Sequence, residues 1–330
     1  MNDLPSVSII ISTYNGKEIL DKCLSSLFEI TDYPRERMRV VVVDDGSTDD
    51  TCDFVQQKYA GEVSTIRLQE NSGFIRANNR AIECYLEDAP DYVLLLNNDT
   101  RIMQHDWLTK LVETAEKDGR VAVVSPKLIF PNRQIQWSGR PRENRTFFLI
   151  LQTITARNNP GFGIYSSKSG AEDVLEVDTA TGACMLMKSD VIRAIGKFDT
   201  ILAPAYQEDV DYSFRAWRAG YKVLYRPDAC VINEERITHD SPDSEASREK
   251  KYWQLRNSMI VSLRYFGLAK ALVFGSPIYI VTALFDVRDK HKGLSLLNLK
   301  RASGFGEALR ILHRSAAEAL SLYFAGQSRT

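Results

Sequence analysis

What the chain lacks narrows the field first. Its five cysteines (Cys23, Cys52, Cys84, Cys184, Cys230) are scattered, odd in number and never in CxxC spacing. That argues against a disulfide framework or a cysteine zinc site and fits small buried residues in a reducing compartment. A basic excess is also missing: 42 Lys and Arg meet 43 Asp and Glu, a formal net charge of −1. Without it there is no electrostatic footprint of a nucleic-acid partner. No GxGxxG follows the first apolar run and no GxxxxGK[ST] occurs anywhere, so dinucleotide and P-loop sites lose their main support. The start, Met1-Asn2-Asp3-Leu4-Pro5, has no basic segment leading into an apolar one. No secretory signal is expected there, and the cytoplasm is the default location.

What is present is ordinary in bulk. At 330 residues, with 44% hydrophobic and 26% charged residues, one large or two modest globular domains are expected. The informative part is the pattern. Residues 92–96, Tyr-Val-Leu-Leu-Leu, form an apolar run that ends abruptly in Asn97-Asn98-Asp99. Such a run reads as a buried central strand of a parallel sheet. In open α/β sheets ligands sit beyond the carboxyl ends of strands. A strand end closed by turn-forming Asn and Asp is the plain alternative.

The first hundred residues repeat this arrangement. Residues 7–11, 40–43 and 63–68 read as strands, and apolar positions at helical spacing follow each. Ser47 or Thr48 is the expected N-cap of a helix running to about residue 59, and another helix is expected over 76–86. The alternation predicts right-handed βαβ crossovers: an α/β fold with a mostly parallel, Rossmann-like sheet flanked by helices. Each strand ends in polar residues: Thr13-Tyr14-Asn15, Asp44-Asp45-Gly46-Ser47, Asn71 with Gly73, and Asn97-Asn98-Asp99. Turn formers would suffice for folding, and carboxylates at two of these ends are more than turn chemistry requires.

Three segments together resemble the nucleotide-sugar domain of family 2 glycosyltransferases, which have the GT-A fold. They are residues 7–15 (Val-Ser-Ile-Ile-Ile-Ser-Thr-Tyr-Asn), residues 43–49 (Val-Asp-Asp-Gly-Ser-Thr-Asp) and Asn97-Asn98-Asp99. Each is short, and their order and spacing make the set specific. The resemblance covers roughly residues 6–257. It implies a divalent Mn²⁺ or Mg²⁺ at Asp99, with Thr13, Tyr14 and Asp45 at the base and ribose. Asp45 would accept from a uracil or thymine imide N–H. Asn15, Asn97 and Asn98 join this expected donor site, and Asn71, Gly73 and Arg76 would line the diphosphate. The metal would act as a Lewis acid toward the leaving group. Asn at 97 and 98 departs from an all-Asp triplet and lowers the local negative charge. Tyr14 packed under its loop, and Gly73 as an ordinary turn glycine, are the plain readings.

Further along, residues 107–118 read as a helix, 121–124 as a strand, and Pro131-Asn132 as a hairpin. Residues 141–176 show no periodicity, which suits a binding loop that selects the acceptor. Thr181-Gly182-Ala183 and then Glu208-Asp209-Val210-Asp211 resemble the acceptor half of the same family. There the Asp of the Glu-Asp pair is the general base, which assigns that role to Asp209. Glu208, Thr181 and Gly182 would bind the acceptor. Helix capping by the acids is the bland reading. The family often places a metal-completing His after the next strand, where this chain has Asn233. His239 lies six residues later and is the remaining candidate ligand. Arg256-Asn257 resembles the start of the family's C-terminal helix, where Arg256 meets either the diphosphate or an ordinary ion pair.

Residues 271–285 are fifteen largely apolar positions with Gly275 and Pro277, short of the about 20 that a spanning helix needs. From Arg264 onward ten Lys and Arg face four Asp and Glu. Residues 264–330 therefore suit either a peripheral membrane contact or helices packed with a solvated basic face.

The expected organisation is a GT-A domain over 1–257, with a donor half at 1–130 and an acceptor half at 131–257. A helical extension follows at 258–330. The expected function is metal-dependent, inverting transfer of a hexose or of rhamnose from a UDP-, dTDP- or GDP-sugar. The acceptor would be a glycan or lipid-linked saccharide of the cell envelope, with the enzyme in the cytoplasm or at the inner face of the membrane. A rhamnosyltransferase-like or hexosyltransferase-like enzyme fits best, because Asn97-Asn98-Asp99 and Thr181-Gly182-Ala183 resemble that branch. A nucleotidyltransferase would want a Gly-rich, basic first loop, which residues 12–16 do not supply. A non-catalytic sugar-nucleotide-binding protein is the rival from outside the enzymes.

Overall fold

The computed structural model describes residues 4–139, 173–234, 245–271 and 305–327. The chain divides into two compact units, Met1–Arg142 with Pro160–Pro204 and Glu208–Arg236, and Glu143–Asn159 with Ala205–Gln207 and Ile237–Thr330. The boundary expected after residue 257 falls inside a continuous helix, Glu245–Phe266.

The first unit is built on a single sheet ordered β3-β2-β1-β4-β9-β6-β10-β5. Its strands are β1 (Val7–Thr13), β2 (Met38–Asp44), β3 (Val63–Arg67), β4 (Tyr92–Leu96), β5 (Thr100–Ile102), β6 (Val121–Ile129), β9 (Cys184–Lys188) and β10 (Lys222–Asn233). Two short strands, β7 (Ile135–Trp137) and β8 (Leu175–Glu176), pair with β6 and β10. The run β3-β2-β1-β4 is parallel throughout. Beyond it β9 runs antiparallel to both β4 and β6, while β6 and β10 are parallel.

All five residues of β4 are buried, as their unbroken apolar run requires. On one face of the sheet Val7, Ile9 and Ile11 share a core with α1 (Lys17–Ile30), α2 (Thr51–Lys58) and α4 (Trp107–Glu116). Because side chains alternate along a strand, the other face of β1 and β2 is left for α3 (Phe74–Leu86), which packs there. Helices therefore lie on both faces. Two more, α5 (Ser189–Ile195) and α6 (Glu208–Arg218), follow β9 and precede β10.

Two details differ from the sequence pattern. The second helix begins at Thr51, not at Ser47 or Thr48. Ser47 Oγ accepts from Asn15 N at 2.9 Å, and Thr48 Oγ1 accepts from Asn15 Nδ2 at 3.1 Å. Those hydroxyls are engaged by the first loop, and Asp49 Oδ1 accepts from Thr51 N instead. The expected strand over 221–225 and the apolar segment after it form one strand, β10, with a register shift between Arg226 and Cys230 where Pro227 falls. Proline cannot donate to the ladder, so the bulge accommodates it.

In the second unit α7 (Glu245–Phe266) packs against α8 (Phe305–Gln327). Arg256 Nε meets Glu318 at 2.6 Å, the Tyr252 hydroxyl also bonds Glu318, and the Arg314 guanidinium lies 3.8 Å over the Tyr252 ring. Arg256 is thus engaged by an ion pair rather than held open. Asn257 Nδ2 donates to Ala205 O and Tyr206 O at 2.9 and 3.0 Å. Among the described residues, no helix is long and apolar enough to cross a membrane. The apolar run at 271–285, past its first residue, and most of the acceptor loop expected at 141–176 lie outside them.

Candidate active site

The parallel register sets Thr13 beside Asp44, so the polar ends of β1, β2 and β4 share one edge of the sheet. Asn98 Nδ2 donates to Thr13 Oγ1 at 2.9 Å, joining the triplet to the first loop. A Cβ at Gly16 would lie 2.7 Å from Thr13 Oγ1 and 2.9 Å from Asn98 Nδ2, so this junction needs glycine. Tyr14 projects into solvent at 40% exposure, so it does not pack under its loop. Asn15, at φ 47°, accepts from Thr48 N at 2.8 Å and organises the 47–49 turn.

Asp45 faces away from open solvent. Its Oδ1 accepts from Ser72 N and Ser72 Oγ at 2.8 and 2.7 Å, and its Oδ2 accepts from Gly73 N at 2.8 Å. Gly73, at φ 85°, lies against Pro204: a Cβ there would be 2.4 Å from Pro204 Cβ. Ile75 N, in the first turn of α3, donates to Pro204 O at 3.0 Å. Asn79 exchanges two hydrogen bonds with the Phe198 backbone, donating to its carbonyl and accepting from its amide. Asn71 and Arg76 are exposed beside this turn. No partner of Arg76 occurs among the described residues.

Around residues 181–183 and 208–209, expected to form the acceptor site, the antiparallel β9 is decisive. Asn97 N donates to Ala183 O at 2.9 Å, and the neighbouring Gly182 N donates to Asp209 Oδ2 at 2.9 Å. The Asn97 end of β4, the 181–183 turn and the acid pair therefore adjoin through the backbone. Asp209 Oδ1 accepts from Val210 N at 2.8 Å. Glu208 is only 4% exposed. A side chain at Gly182 would begin 3.4 Å from Glu208 Oε1 and 3.5 Å from Asp209 Oδ2, so its absence opens the space in front of both acids. The third acid, Asp211, is ion-paired to Arg215 Nε at 2.9 Å. Thr181 keeps its hydroxyl within the turn, 3.4 Å from Ala183 N.

Residues 8–195, more than half of the chain, match the family model described as Glycosyl transferase family 2. The chain belongs to glycosyltransferase family 2. A mannosyltransferase of Pyrobaculum calidifontis in complex with GDP-Man and Mn²⁺ is similar in structure. It is 19% identical with a TM-score of 0.57, over 99% of this chain and 81% of that one. The fold is GT-A. Among relatives, the O-antigen biosynthesis protein RfbC of Myxococcus xanthus is 24% identical over 76% of this chain and 18% of its own length. An N-acetylglucosaminyl-diphospho-decaprenol L-rhamnosyltransferase of Mycobacterium tuberculosis is 26% identical over 70% and 76%. The chain spans less than half the length of several of the curated relatives it matches.

For a family 2 glycosyltransferase the donor set at the triplet bears on the metal. Asp99 supplies one carboxylate, flanked by the neutral oxygens of Asn97 and Asn98, and its carbonyl accepts from Glu234 N at 2.8 Å. Among the described residues, no three or more His, Cys, Asp and Glu side chains converge on a metal position. A hard cation that takes one or two protein carboxylates and completes its shell with phosphate oxygens and water fits such a set. Nearby Cys23 is buried, with its Sγ 3.6 Å from Asn97 O and 3.5 Å from Thr100 Oγ1, and burial pushes its thiol up to about 12. His239 lies outside the described residues. Sequence reasoning missed Ser72, Asn79 and Pro204, whose partners are distant in the chain. Only the Asn-Ser-Gly turn at 71–73 gave a local signal.

Proposed function

We propose that this protein is an inverting glycosyltransferase that moves a sugar from a nucleotide-diphosphate donor to an acceptor hydroxyl. The observation carrying this reading is the 181–183 turn, hydrogen-bonded at once to the triplet strand through Asn97 and to Asp209. It brings the expected donor and acceptor elements together. Asp209, oriented by the Gly182 and Val210 amides, takes the proton from the acceptor hydroxyl. That oxygen bonds to the anomeric carbon as the bond to the diphosphate oxygen breaks, and the nucleoside diphosphate leaves with the bonding pair. One base without a nucleophilic partner implies a single displacement, hence inversion. Glu208, set behind the same opening, orients the acceptor together with the 181–182 turn.

Thr13, Tyr14 and Asn15 line the nucleoside edge, Asn97 and Asn98 the sugar, and Asn71 and Arg76 the diphosphate. Asp99 holds Mn²⁺ or Mg²⁺, which supplies Lewis-acid stabilisation of the leaving diphosphate. The donor is a UDP-, dTDP- or GDP-sugar carrying a hexose or a deoxyhexose such as rhamnose. The acceptor is a glycan or lipid-linked saccharide in cell-envelope polysaccharide assembly. The names of the O-antigen and rhamnosyltransferase relatives support that substrate class. Residues 1–257 carry both halves of the reaction at the cytoplasmic side, and 264–330 make peripheral membrane contact.

The test is release of nucleoside diphosphate from a panel of UDP-, dTDP- and GDP-sugars, with membrane extract as acceptor source, in Mn²⁺, Mg²⁺ or EDTA. Metal-dependent release with one donor is expected. Asp209→Asn should lower it about 10²–10⁴-fold, the range for a general base, and Asp99→Ala should remove the metal dependence. Donor binding with no release under any condition, unchanged by Asp209→Asn, would leave a sugar-nucleotide-binding protein instead.

A further inference from the structure

The amides of Ala180, Thr181 and Gly182, three in succession, all end on side-chain oxygens from distant parts of the chain. Ala180 N donates to Ser213 Oγ at 3.1 Å, Thr181 N to Ser125 Oγ at 3.4 Å and Gly182 N to Asp209 Oδ2 at 2.9 Å. Both serines are at 0% exposure, Ser125 in β6 and Ser213 in α6. A buried segment outside the sheet ladder has no strand to receive its N–H groups, so side chains take them. Ser213 has a second bond. Its hydroxyl donates to Asp209 O, four residues back in α6, at 2.7 Å. Alone, that would be the ordinary local bond of a helical serine. Here the same oxygen also accepts from a residue 33 positions away in the chain. Asp209 is therefore tied to the 180–182 turn twice, by its carboxylate to Gly182 N and by its carbonyl, through Ser213, to Ala180 N.

We propose that Ser213 is a positioning residue for Asp209: its hydroxyl locks the first turn of α6 against the 180–182 turn and so fixes the Asp209 carboxylate beside Gly182. The Gly182 bond by itself is a single point about which the carboxylate can swing. The second bridge, through the backbone of the same residue, removes that freedom. The task needs one atom that donates to a carbonyl and accepts from an amide, which a hydroxyl does. Alanine there supplies neither, and the buried Ala180 N–H loses its acceptor. Ser125 supports the middle amide by the longest of the three bonds and has the smaller share. This role rests on Asp209 being the general base, as proposed above, and the experiment separates the two.

Ser213→Ala, Ser125→Ala, Asp209→Asn and the double variant Ser213→Ala/Asp209→Asn are compared with the wild type on the full chain. Amide hydrogen exchange over 180–183 should rise about tenfold in Ser213→Ala, the scale of one buried hydrogen bond. A smaller rise is expected in Ser125→Ala. In Ser213→Ala kcat should fall about tenfold, because a slightly misplaced base is a poor one. Donor KM and nucleoside-diphosphate affinity should stay as in the wild type. On the Asp209→Asn background the serine should have no further effect on the residual kcat, since what it positions is already gone.

A serine that merely supports the fold would behave otherwise. Its removal would lower kcat by the same factor whether residue 209 is Asp or Asn, and that result overturns the proposal. Unchanged exchange over 180–183 overturns it as well, and so does exchange that rises while kcat stays as in the wild type. If Ser213→Ala does not fold, Ser213→Cys takes its place with the same expectations, because a thiol is close in shape and only a weak donor and acceptor. Should Asp209→Asn turn over as fast as the wild type, the base assignment fails and this role with it. A loss in Asp209→Asn without one in Ser213→Ala overturns the positioning role alone.

Discussion

Gly182 donates its backbone N–H to Asp209 Oδ2 at 2.9 Å, while a side chain on Gly182 would begin 3.4 Å from Glu208 Oε1. One residue thus orients the candidate base and keeps the space before it open. A methyl at those distances makes ordinary van der Waals contact, so Gly182→Ala should fold with stability within about 0.5 kcal/mol of the wild type. It should lower turnover roughly tenfold if the acceptor hydroxyl approaches Asp209 as proposed, because the methyl would stand in its path and small displacements there are costly. A thermal melt beside acceptor kinetics checks both halves. Undiminished turnover would place the acceptor elsewhere.

Arg76 offers a different separation of stability from binding. It is exposed at the first turn of α3 with no partner among the described residues, so Arg76→Ala should leave the melting temperature unchanged. If the side chain meets the diphosphate, nucleoside-diphosphate affinity should fall about tenfold, the scale of a charge-assisted contact. The loss should shrink for a nucleoside lacking phosphates. Calorimetry with UDP and uridine makes the comparison.

Asp118 ties the end of α4 to the start of β10. It accepts from Arg120 N at 2.9 Å, pairs with Lys222 Nζ at 2.9 Å and meets the Arg120 guanidinium at 3.2 Å. The Arg120 backbone bond, then the Lys222 and Arg120 side chains, hold its carboxyl well below the usual carboxylate range. A lowered folded-state value means that the stabilisation is complete above the unfolded value, about 3.9, and is lost as pH falls below it. Asp118→Asn should therefore melt lower than the wild type at pH 7, with the gap closing between about pH 4 and pH 2. Melting curves across that range give the answer. A gap constant with pH would mean that the charge contributes nothing.

Periodicity and the polar strand ends were enough to place β1 to β4, the helices among them, and the edge where Thr13, Asp45 and Asn97–Asp99 stand. Buried β-branched and leucine runs can only be strands or helices of fixed face, and short alternating elements leave one sheet edge for the loops. The pair Glu208–Asp209 at a helix start was equally visible, since its neighbours in sequence are its neighbours in space. Which partner each polar group takes was not visible. Ser47 bonds Asn15 rather than capping a helix, Asp45 turns to Ser72 and Gly73, and Asp209 is held by Gly182. These choices depend on the order of strands in the sheet. Above all they depend on β9 entering antiparallel beside β4, which sets Ala183 against Asn97. A hydrogen-bonding side chain at a strand end has several possible partners of similar strength, and only the packed neighbours decide among them. Local pattern alone defines the elements and the edge at which chemistry is possible. Packing decided which carboxylate stands beside the opening left by Gly182 and which one is turned inward.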